Sequence, residues 1–263
     1  MDMGLNGKNA LVCGASSGLG KACAAALASE GADVIICART AETLNEAASE
    51  ISAQSGAQVF VYPADLSKAS DIDRLADKIH DKFGGIDILV TNAGGPPAGN
   101  SESLTEDNWT DGFDLTFMSV VRLVHAFSPH MKDNNWGRII NLASISVREP
   151  IDGLILSNAL RSAVVGFAKT LSRELGPYGV LVNNIITGSY DTDRLKSLHT
   201  ARAEQLGIDI EELRRRVRSE IPLRRFGNPG ELADIVCFLA GEKSSYITGT
   251  SIPVDGGALK GIF

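Results

Sequence analysis

The sequence predicts a doubly wound α/β fold, in which helices cover both faces of a mostly parallel β-sheet. First, short β-branched apolar runs alternate along the chain with longer segments of helical spacing. Second, these runs are almost continuously apolar, which is typical of parallel strands that are covered on both faces. Third, parallel strands need crossover connections, and right-handed βαβ crossovers build a doubly wound sheet.

Six apolar runs predict the successive strands of this sheet. They are residues 9–14 (NALVCG), 32–38 (ADVIICA), 57–65 (AQVFVYPAD), 86–94 (IDILVTNAG), 137–144 (GRIINLAS) and 180–187 (VLVNNIIT). A helix is predicted to begin near Pro229. A late strand within residues 250–256 (TSIPVDG) is expected to close one edge of the sheet.

One domain is predicted for residues 1–263, because the chain has no internal repeat, low-complexity tract or Pro/Gly/Ser linker. Its most irregular region is a charged helical insert around residues 188–228. A run of arginines with nearby glutamates predicts a solvated helix face there. These residues are Arg214, Arg215, Arg216, Arg218, Glu211, Glu212 and Glu220. The alternative is a lid over a substrate, since the insert follows the carboxyl end of a strand.

The composition excludes some classes of partner. A net charge of −7 and an isoelectric point near 5.2 argue against nucleic acid, whose partners usually carry a basic surface. The four cysteines lie in apolar segments without a Cys-x-x-Cys pair, which indicates reduced, buried thiols. The N-terminus has no leader pattern and no run reaches about 18 apolar residues, so a cytoplasmic protein that does not enter a membrane is expected.

A glycine-rich turn, GASSGLG, follows the first predicted strand and opens a helix. Glycines at this spacing let backbone N–H groups and the positive end of the helix face a pyrophosphate. The candidate cofactor-binding residues of the turn are Gly14, Ser16, Ser17, Gly18, Leu19 and Gly20. The alternative is a tight turn with a structural role only.

The residue after the second predicted strand indicates which dinucleotide binds. NAD-binding folds usually place an acid here for the ribose 2′-hydroxyl, but this chain has Ala38 and then Arg39. A carboxylate would repel a 2′-phosphate, whereas a guanidinium pairs with it. NADP(H) is therefore favoured over NAD(H). The alternative for Arg39 is an ordinary surface arginine after a strand.

The third and fourth predicted strands also end in small or polar residues. Asp65 and Leu66 end the third strand, and Asn92, Ala93 and Gly94 end the fourth. Because the carboxyl ends of parallel strands meet at one edge, these residues are expected at the rim where adenine and ribose would bind. Ordinary turn chemistry is the alternative explanation.

These segments together make the chain similar to the short-chain dehydrogenases/reductases along nearly its whole length. The resemblance lies in the order and spacing of GASSGLG, DLS, NAG, GRIINLAS, AKTLSRELGPYGVLVNNI, RFGNPGELADIVCFLA and ITGTSIPVDGG. It implies a single Rossmann domain with a seven-stranded sheet, a bound nicotinamide dinucleotide, and assembly as a homotetramer or homodimer. The chain most resembles the 3-oxoacyl-[acyl-carrier-protein] reductase type, a label shared by enzymes with unrelated substrates.

The same resemblance places four catalytic positions, and three of them are altered. Family members use an Asn that shapes a water relay, a Ser that holds the substrate oxygen and a Tyr that exchanges the proton. They also use a Lys that lowers the Tyr pKa and binds the nicotinamide ribose. Ser144 occupies the Ser position, whereas Thr116, Ser157 and Arg161 stand at the Asn, Tyr and Lys positions. Residues 157 and 161 are one helical turn apart, so their side chains are expected to share a face.

Ser157 is a poor substitute for a Tyr in proton transfer. Its hydroxyl reaches roughly 4 Å less far from the backbone than a phenol, and its pKa lies far above the ~10 of a Tyr. Arg161 keeps its proton, so we expect it to bind the nicotinamide ribose and to stabilise charge on the substrate oxygen. Water or another residue must then supply the proton. Tyr190, just beyond the sixth strand, is the candidate side chain.

Other ionisable side chains are weaker candidates. Glu149 could act as an acid or pair with Arg148 on the rim, and Tyr178 is expected at the surface end of a helix. None of the histidines follows a predicted strand, so they are expected in helices or at the surface. They are His80, His125, His130 and His199.

Two departures from the family concern the nicotinamide end. Thr187 replaces the Pro of the Pro-Gly that flanks the nicotinamide, and Gly188 is kept. Thr91 replaces the first Asn of the family's Asn-Asn-Ala-Gly. The side chains of Thr187 and Thr91 are both small. Thr187 and Gly188 are therefore expected to hold the nicotinamide carboxamide, although more loosely than the family's Pro-Gly does.

Two functions follow from this combination. The first is an NADP(H)-dependent oxidoreductase acting on a small-molecule carbonyl or alcohol, in which Ser144 and Ser157 hydrogen-bond the substrate oxygen. The second is a dinucleotide-binding homologue without turnover that acts as a sensor or structural partner. A different enzyme class on the same fold is a third possibility, but the sequence has no metal-ligand cluster or activated nucleophile to support it.

Overall fold

Seven strands form one sheet in the computed structural model, which describes residues 2–262. The strands are β1 (Asn9–Cys13), β2 (Asp33–Ala38), β3 (Val59–Pro63), β4 (Ile88–Thr91), β5 (Gly137–Leu142), β6 (Val180–Thr187) and β7 (Ser251–Val254). Their order is β3-β2-β1-β4-β5-β6-β7, and every neighbouring pair is parallel. The predicted doubly wound α/β class and the late edge strand are confirmed.

The α-helices connect these strands and cover the sheet. They are α1 (Gly18–Ser29), α2 (Ala41–Ser55), α3 (Ala69–Phe83), α4 (Glu106–Phe113), α5 (Ser119–Asp133), α6 (Ile155–Leu175), α7 (Asp193–Leu206), α8 (Ile210–Glu220) and α9 (Pro229–Ala240). A π-helical turn, Asp114–Met118, joins α4 to α5. The predicted start of α9 at Pro229 is confirmed, because Asn228 forms a capping box with Glu231 there.

The sheet buries an apolar core on each of its faces. One core lies between the sheet and α1, α2 and α9, and the other lies between the sheet and α3, α5 and α6. Successive residues of β1 enter the two cores in turn: Ala10 and Val12 pack in the first, Leu11 and Cys13 in the second. This two-sided burial explains why the strands are near-continuous apolar runs in the sequence.

A ladder of polar side chains, most of them buried, crosses the sheet from the carboxyl ends of β4 and β5 through the middle of β6 to the first residue of β7. Thr91 donates a hydrogen bond to Asn141 over 2.7 Å, and Asn141 donates to Asn184 over 2.9 Å. Asn184 donates in turn to Ser251 over 3.0 Å. These residues are directly opposed on neighbouring strands, so the ladder holds β4, β5, β6 and β7 in register. Beside it, the winding reverses between β1 and β4, which opens the crevice where such sheets bind ligands.

The predicted helical insert follows β6 and contains α7 and α8. A bridge between Tyr190 and Gly227 closes its base. The expectation that the whole arginine run is solvated is wrong for Arg214, whose side chain is only 12% exposed. The guanidinium carbon of Arg214 lies 4.7 Å from the centroid of the Phe226 ring, and Nη2 pairs with Asp191 over 2.8 Å. The aromatic face therefore holds this cation against the protein.

Three negative findings hold for residues 2–262. The four cysteines form no disulfide and are buried, in agreement with the prediction of reduced thiols. Histidine, cysteine and acidic side chains do not gather anywhere in this part of the chain in a group of three or more that could bind a metal ion. None of its helices combines the length and apolar character needed to cross a bilayer.

Candidate active site

The glycine turn has a backbone geometry that requires glycine. Gly14 and Gly18 have φ angles of 59° and 56°, in the left-handed region that residues with a Cβ rarely adopt. A Cβ on Gly20 would lie 2.3 Å from the carbonyl oxygen of Gly14, so the first turn of α1 packs directly on the loop. Ser17 precedes α1 without capping it through its side chain, which leaves N–H groups of the first turn free for a ligand. The turn therefore fits a pyrophosphate.

Asn92 ties the end of β4 to this turn. Its Nδ2 donates to the carbonyl oxygen of Gly14 over 3.3 Å. Gly94, two residues further on, is exposed, and a Cβ placed on it would meet nothing within 4 Å. Packing within the protein therefore gives no reason for a glycine here. Close approach of a ligand would require one. Ser16 and Leu19, the remaining predicted residues of the turn, are half-buried.

Two charged side chains lie at the rim beyond β2 and β3: Arg39, which has no partner within residues 2–262, and Asp65, which is hydrogen-bonded. Arg39 directly follows β2 and is exposed, and among residues 2–262 it forms no ion pair. Asp65 accepts hydrogen bonds from the backbone N–H and the hydroxyl of Ser67 over 3.1 and 2.8 Å. The carboxylate of Asp65 thus takes part in local turn chemistry, the alternative that the sequence left open. Leu66 is buried and lines the cavity described below.

Ser157 and Arg161 share one face of α6, as helical periodicity requires. The Nε of Arg161 donates to the Ser157 hydroxyl over 3.2 Å, and its Nη1 donates to the carbonyl oxygen of Leu142 over 3.0 Å. Leu142 is the last residue of β5, so the guanidinium is fixed at the carboxyl end of a central strand. Ser144 lies two residues further along the chain and accepts a hydrogen bond from the N–H of Ser146 over 3.2 Å.

Arg161 is a cation in a positive environment. Burial lowers the pKa of its guanidinium to about 10, and the neighbouring charge of Arg194 contributes to the shift. Because this pKa still lies well above neutrality, Arg161 stays protonated at pH 7. Its Nη2 forms no hydrogen bond within residues 2–262 and is available to a ligand.

A small cavity of about 20 Å³ lies against Arg161, Asn92 and Thr116. Thr116 is only 5% exposed, and its Oγ1 has no hydrogen-bond partner in the described part of the chain. It lies in the π-helical turn Asp114–Met118, and such turns inside helices frequently mark functional sites. Since a void of roughly 10–15 Å³ can hold one water, the cavity has room for one beside the threonine hydroxyl.

Thr187 and Gly188 are held by the fold itself. The Thr187 hydroxyl donates to the carbonyl oxygen of Ala143 over 2.9 Å. Gly188 packs so closely on the chain after β7 that a Cβ would lie 2.6 Å from the Cα of Asp255. Thr187 is the last residue of β6, and Gly188 follows it. Because β6 pairs with β5, and Ser144 lies just beyond the end of β5, the backbones of Thr187 and Gly188 border the predicted nicotinamide end.

Tyr190 does not reach the group around Arg161. It is 5% exposed and belongs to the core with α1 and α9, and its hydroxyl donates to the carbonyl oxygen of Val254 over 2.8 Å. Burial raises the pKa of this hydroxyl, and the charges of Glu231 and Asp255 raise it further. A phenol that is engaged in this way and less acidic than usual is unsuited to proton transfer. The interpretation of Tyr190 as the proton donor is therefore corrected.

The weaker candidates also have structural roles. Glu149 accepts a hydrogen bond from the backbone N–H of Lys260 over 2.7 Å, and the alternative pairing with Arg148 is not formed among residues 2–262. Tyr178 is 41% exposed at the end of α6. All four histidines lie in helices, namely α3, α5 and α7, as expected.

Sequence reasoning missed Arg194, in the first turn of α7. A Cβ on Gly95 would lie 2.9 Å from its Nη2, so its guanidinium rests on the loop after β4. The available signal was its place directly after Thr192 and Asp193, where the insert leaves β6. Only the folded chain shows that the side chain at this position meets Gly95 and that its charge lowers the pKa of Arg161.

Known proteins are similar to this chain over nearly its whole length. A family model described as Enoyl-(Acyl carrier protein) reductase matches residues 14–258. The chain is 32% identical over 257 residues to the 3-oxoacyl-[acyl-carrier-protein] reductase FabG of Aquifex aeolicus, which covers 98% of this chain and 99% of the relative. It is 34% identical over 255 residues to dehydrogenase/reductase SDR family member 4 of Oryctolagus cuniculus, with 97% and 94% covered.

A solved structure with the same fold contains a bound cofactor. It is L-sorbose reductase from Gluconobacter frateurii, complexed with NADPH and L-sorbose. The two chains are 33% identical, superpose with a TM-score of 0.95 and cover each other over 100% of their lengths. The likeness therefore includes the helical insert as well as the sheet.

Proposed function

Because the chain belongs to the short-chain dehydrogenase/reductase family, we propose that it is an NADP(H)-dependent oxidoreductase acting on a carbonyl or alcohol of a small molecule. Its active site is atypical, with Ser157 and Arg161 at the Tyr and Lys positions. One observation carries this proposal: Arg161 is fixed to the Leu142 carbonyl oxygen and to Ser157, and one edge of its guanidinium is free. A fixed cation at a strand end near Ser144 suits a reaction that develops negative charge on oxygen.

The residues at the other end of the cleft fit a nicotinamide dinucleotide. The loop from Gly14 to Gly20 offers uncapped N–H groups, and Gly94 leaves open space beside it. Arg39 is free to pair with a 2′-phosphate, which supports NADP(H) over NAD(H). When bound, the dinucleotide supplies hydride transfer.

The side chains around Arg161 orient the substrate and stabilise charge. The Ser144 hydroxyl accepts a hydrogen bond from the N–H of Ser146, so its own proton is free to be donated to the substrate oxygen. The Ser157 hydroxyl accepts from Arg161 and is free in the same way. Arg161 adds a positive charge that strengthens as the oxygen becomes negative. Together these groups position a carbonyl and favour its reduction.

Water supplies the proton in this proposal. The cavity of about 20 Å³ between Thr116 and Arg161 has room for one molecule and a polar wall to hold it. Thr116 Oγ1, which is otherwise unpartnered, would hydrogen-bond this water. Proton delivery from water replaces the missing phenol and requires no residue with a pKa near neutrality.

The resemblance to the family also supports one functional domain over residues 1–263 and assembly as a homotetramer or homodimer. The exposed Phe113 packs on Phe117, with ring centroids 5.5 Å apart, and offers an apolar surface next to α5 and α6. Light scattering of the purified chain would give the number of subunits.

A direct assay tests the proposed function. The purified chain is titrated with NADPH and NADH by cofactor fluorescence, and NADPH oxidation is then followed with a panel of activated ketones. We expect tighter binding of NADPH and measurable turnover of at least one ketone. Tight NADPH binding without any oxidation across the panel would instead support the dinucleotide-binding homologue, and absence of binding would contradict both.

A further inference from the structure

The polar ladder across the sheet reaches the small cavity beside Arg161. Thr91, the last residue of β4, is the first member of the ladder and also lines this cavity of about 20 Å³. Leu89, two residues earlier, packs in the core with α3, α5 and α6, so alternation along the strand places the side chain of Thr91 on the same face. Arg161, on α6, and Thr116, in the turn that leads into α5, line the same cavity.

The hydrogen bonds of the ladder are all donated in one direction, away from the cavity. Thr91 Oγ1 donates to Oδ1 of Asn141 over 2.7 Å. Nδ2 of Asn141 donates to Asn184 over 2.9 Å, and Nδ2 of Asn184 donates to Ser251 over 3.0 Å. A hydroxyl has one proton and two lone pairs, so the proton of Thr91 is already used. Its oxygen accepts no hydrogen bond from residues 2–262, and towards the cavity it therefore offers an acceptor.

The other polar walls of the cavity supply donors. Arg161 can only donate, and its Nη2 is unused within the part of the chain that the structure describes. Thr116 Oγ1 is buried there without a partner and can donate or accept. The Ser119 hydroxyl, which also lines the cavity, donates to the carbonyl oxygen of Leu115 over 2.5 Å. An anion would accept from Arg161 but could not donate to Thr91, whereas a water does both.

We propose that Thr91 positions a water in this cavity for proton transfer to the substrate oxygen. The proposal rests on the proposed function and adds the residue that sets the direction of the transfer. The water accepts hydrogen bonds from Arg161 and Thr116, which occupy its two lone pairs. It donates one hydrogen to Thr91, which can only accept. One O–H group of the water is then left for the substrate oxygen.

The proton step balances with water as the co-reactant. After hydride transfer to the carbonyl carbon, the substrate oxygen carries a negative charge. It takes the remaining proton of the water, and the electron pair of the broken O–H bond stays on the water oxygen. The charge of Arg161 stabilises the hydroxide that results, which takes a proton from solvent before the next turnover. The products are the alcohol and NADP⁺.

A purely structural role for Thr91 is the alternative, because its hydrogen bond to Asn141 also holds β4 in register with β5. The far end of the ladder offers a matched comparison. Ser251 accepts the last hydrogen bond of the ladder and is not among the residues that line the cavity. Loss of either hydroxyl removes one ladder hydrogen bond, and only the loss at position 91 changes the cavity.

The test therefore compares the two ends of the ladder in the full chain. Thr91→Val keeps the shape of the side chain and removes the hydroxyl, and Thr91→Ser retains a hydroxyl. Ser251→Ala is the matched control. We would measure kcat, KM and the solvent deuterium isotope effect on kcat for an activated ketone with NADPH. Urea unfolding reports the stability of each variant.

Thr91→Val should lower kcat by about tenfold or more and raise the solvent isotope effect, because proton transfer becomes the slow step. KM and the NADPH Kd should stay within about twofold, and Thr91→Ser and Ser251→Ala should keep kcat within about threefold. Unchanged kcat in Thr91→Val, or a loss without a rise in the isotope effect, would overturn the proposal. An equal loss of kcat in Ser251→Ala would also overturn it, since the ladder would then act through structure alone.

Crystallography of the unchanged protein tests the water without variants or turnover. We expect one ordered water within about 2.5–3.2 Å of Thr91 Oγ1, Thr116 Oγ1 and Arg161 Nη2. A cavity without this water would overturn the proposal, whatever the variants do. If the water is present and no ketone is reduced, the proposed function fails while the placement of the water at Thr91 is supported.

Discussion

The cofactor end and the chemical end of the cleft differ in how their function is built. At the cofactor end, the glycine turn works through backbone geometry: positive φ angles and a contact between Gly14 and Gly20 that leaves no room for a Cβ. At the chemical end, function depends on the side chains at positions 116, 157 and 161. Backbone sterics allow few substitutions, whereas a helix face can present a different side chain without changing its course.

This difference explains which family features remain. Ser157 and Arg161 preserve the shared face of α6 and its cation, and they lose the phenol. In our proposal, the glycine turn and Arg39 bind the dinucleotide, whereas α6 keeps only part of the catalytic set that the family resemblance implies.

The largest effect is expected for Gly20→Ala. The added Cβ would meet the Gly14 carbonyl oxygen, so the free energy of unfolding should fall by about 1–3 kcal/mol. NADPH affinity should also fall at least tenfold. Urea unfolding and cofactor fluorescence measure the two quantities.

Gly166→Ala in α6 is the matched control, because a Cβ there meets nothing within 4 Å. Replacing an open helical glycine should raise stability by about 0.5–1 kcal/mol. Similar losses in both variants would contradict the view that backbone contact is specific to the cofactor end.

Arg39→Ala should reduce the preference for NADPH over NADH by about 10- to 100-fold, as for loss of one charge-assisted hydrogen bond. Arg39 is exposed and follows β2, so stability should not change measurably. The ratio of the two cofactor Kd values is the measurement. An unchanged ratio would show that Arg39 is an ordinary surface residue.

Thr116→Val should separate stability from turnover at the chemical end. The change replaces a hydroxyl that forms no hydrogen bond to the rest of residues 2–262 with a methyl group of similar size, so the free energy of unfolding should change by no more than about 1 kcal/mol. Loss of the group that holds the proton-donating water should lower kcat by about tenfold or more. NADPH affinity should be unaffected. Unchanged kcat in this variant would argue against a water at Thr116.

The smallest effect is expected when the pH is changed and kcat/KM is measured. The pKa of Arg161 is lowered to about 10, so its charge is complete at neutral pH and is lost only as the pH rises through that value. We expect kcat/KM to be constant between about pH 6 and 9 and to fall at higher pH. A rate that depends on an ionisation near neutrality would show that a protein side chain donates the proton.

The sequence predicts the fold and the cofactor end well, because both depend on local patterns. Strands buried on two faces are continuous apolar runs, and the glycine turn is defined by spacing alone. Positions 157 and 161 also follow from helical periodicity, and the structure brings their side chains together.

Long-range contacts explain what the sequence could not predict. The Tyr190 hydroxyl is engaged by Val254, a residue of β7 that is distant in the chain. Arg214 is covered because Phe226 folds back on it, and Arg194 matters because it meets Gly95. These contacts join residues that are distant in the chain, so no local sequence pattern predicts them. An arginine in a charged insert therefore looks the same in the sequence whether it is solvated or faces a site.

The most direct test of the account compares Ser157→Ala with Arg161→Met in NADPH-dependent ketone reduction. The account assigns charge stabilisation to Arg161 and only orientation to Ser157. Arg161→Met should therefore lower kcat at least about 100-fold, as for loss of an oxyanion-stabilising group, and Ser157→Ala by about tenfold or less. Abolished turnover in Ser157→Ala with nearly full turnover in Arg161→Met would contradict the account, because the serine hydroxyl would then be the essential acid.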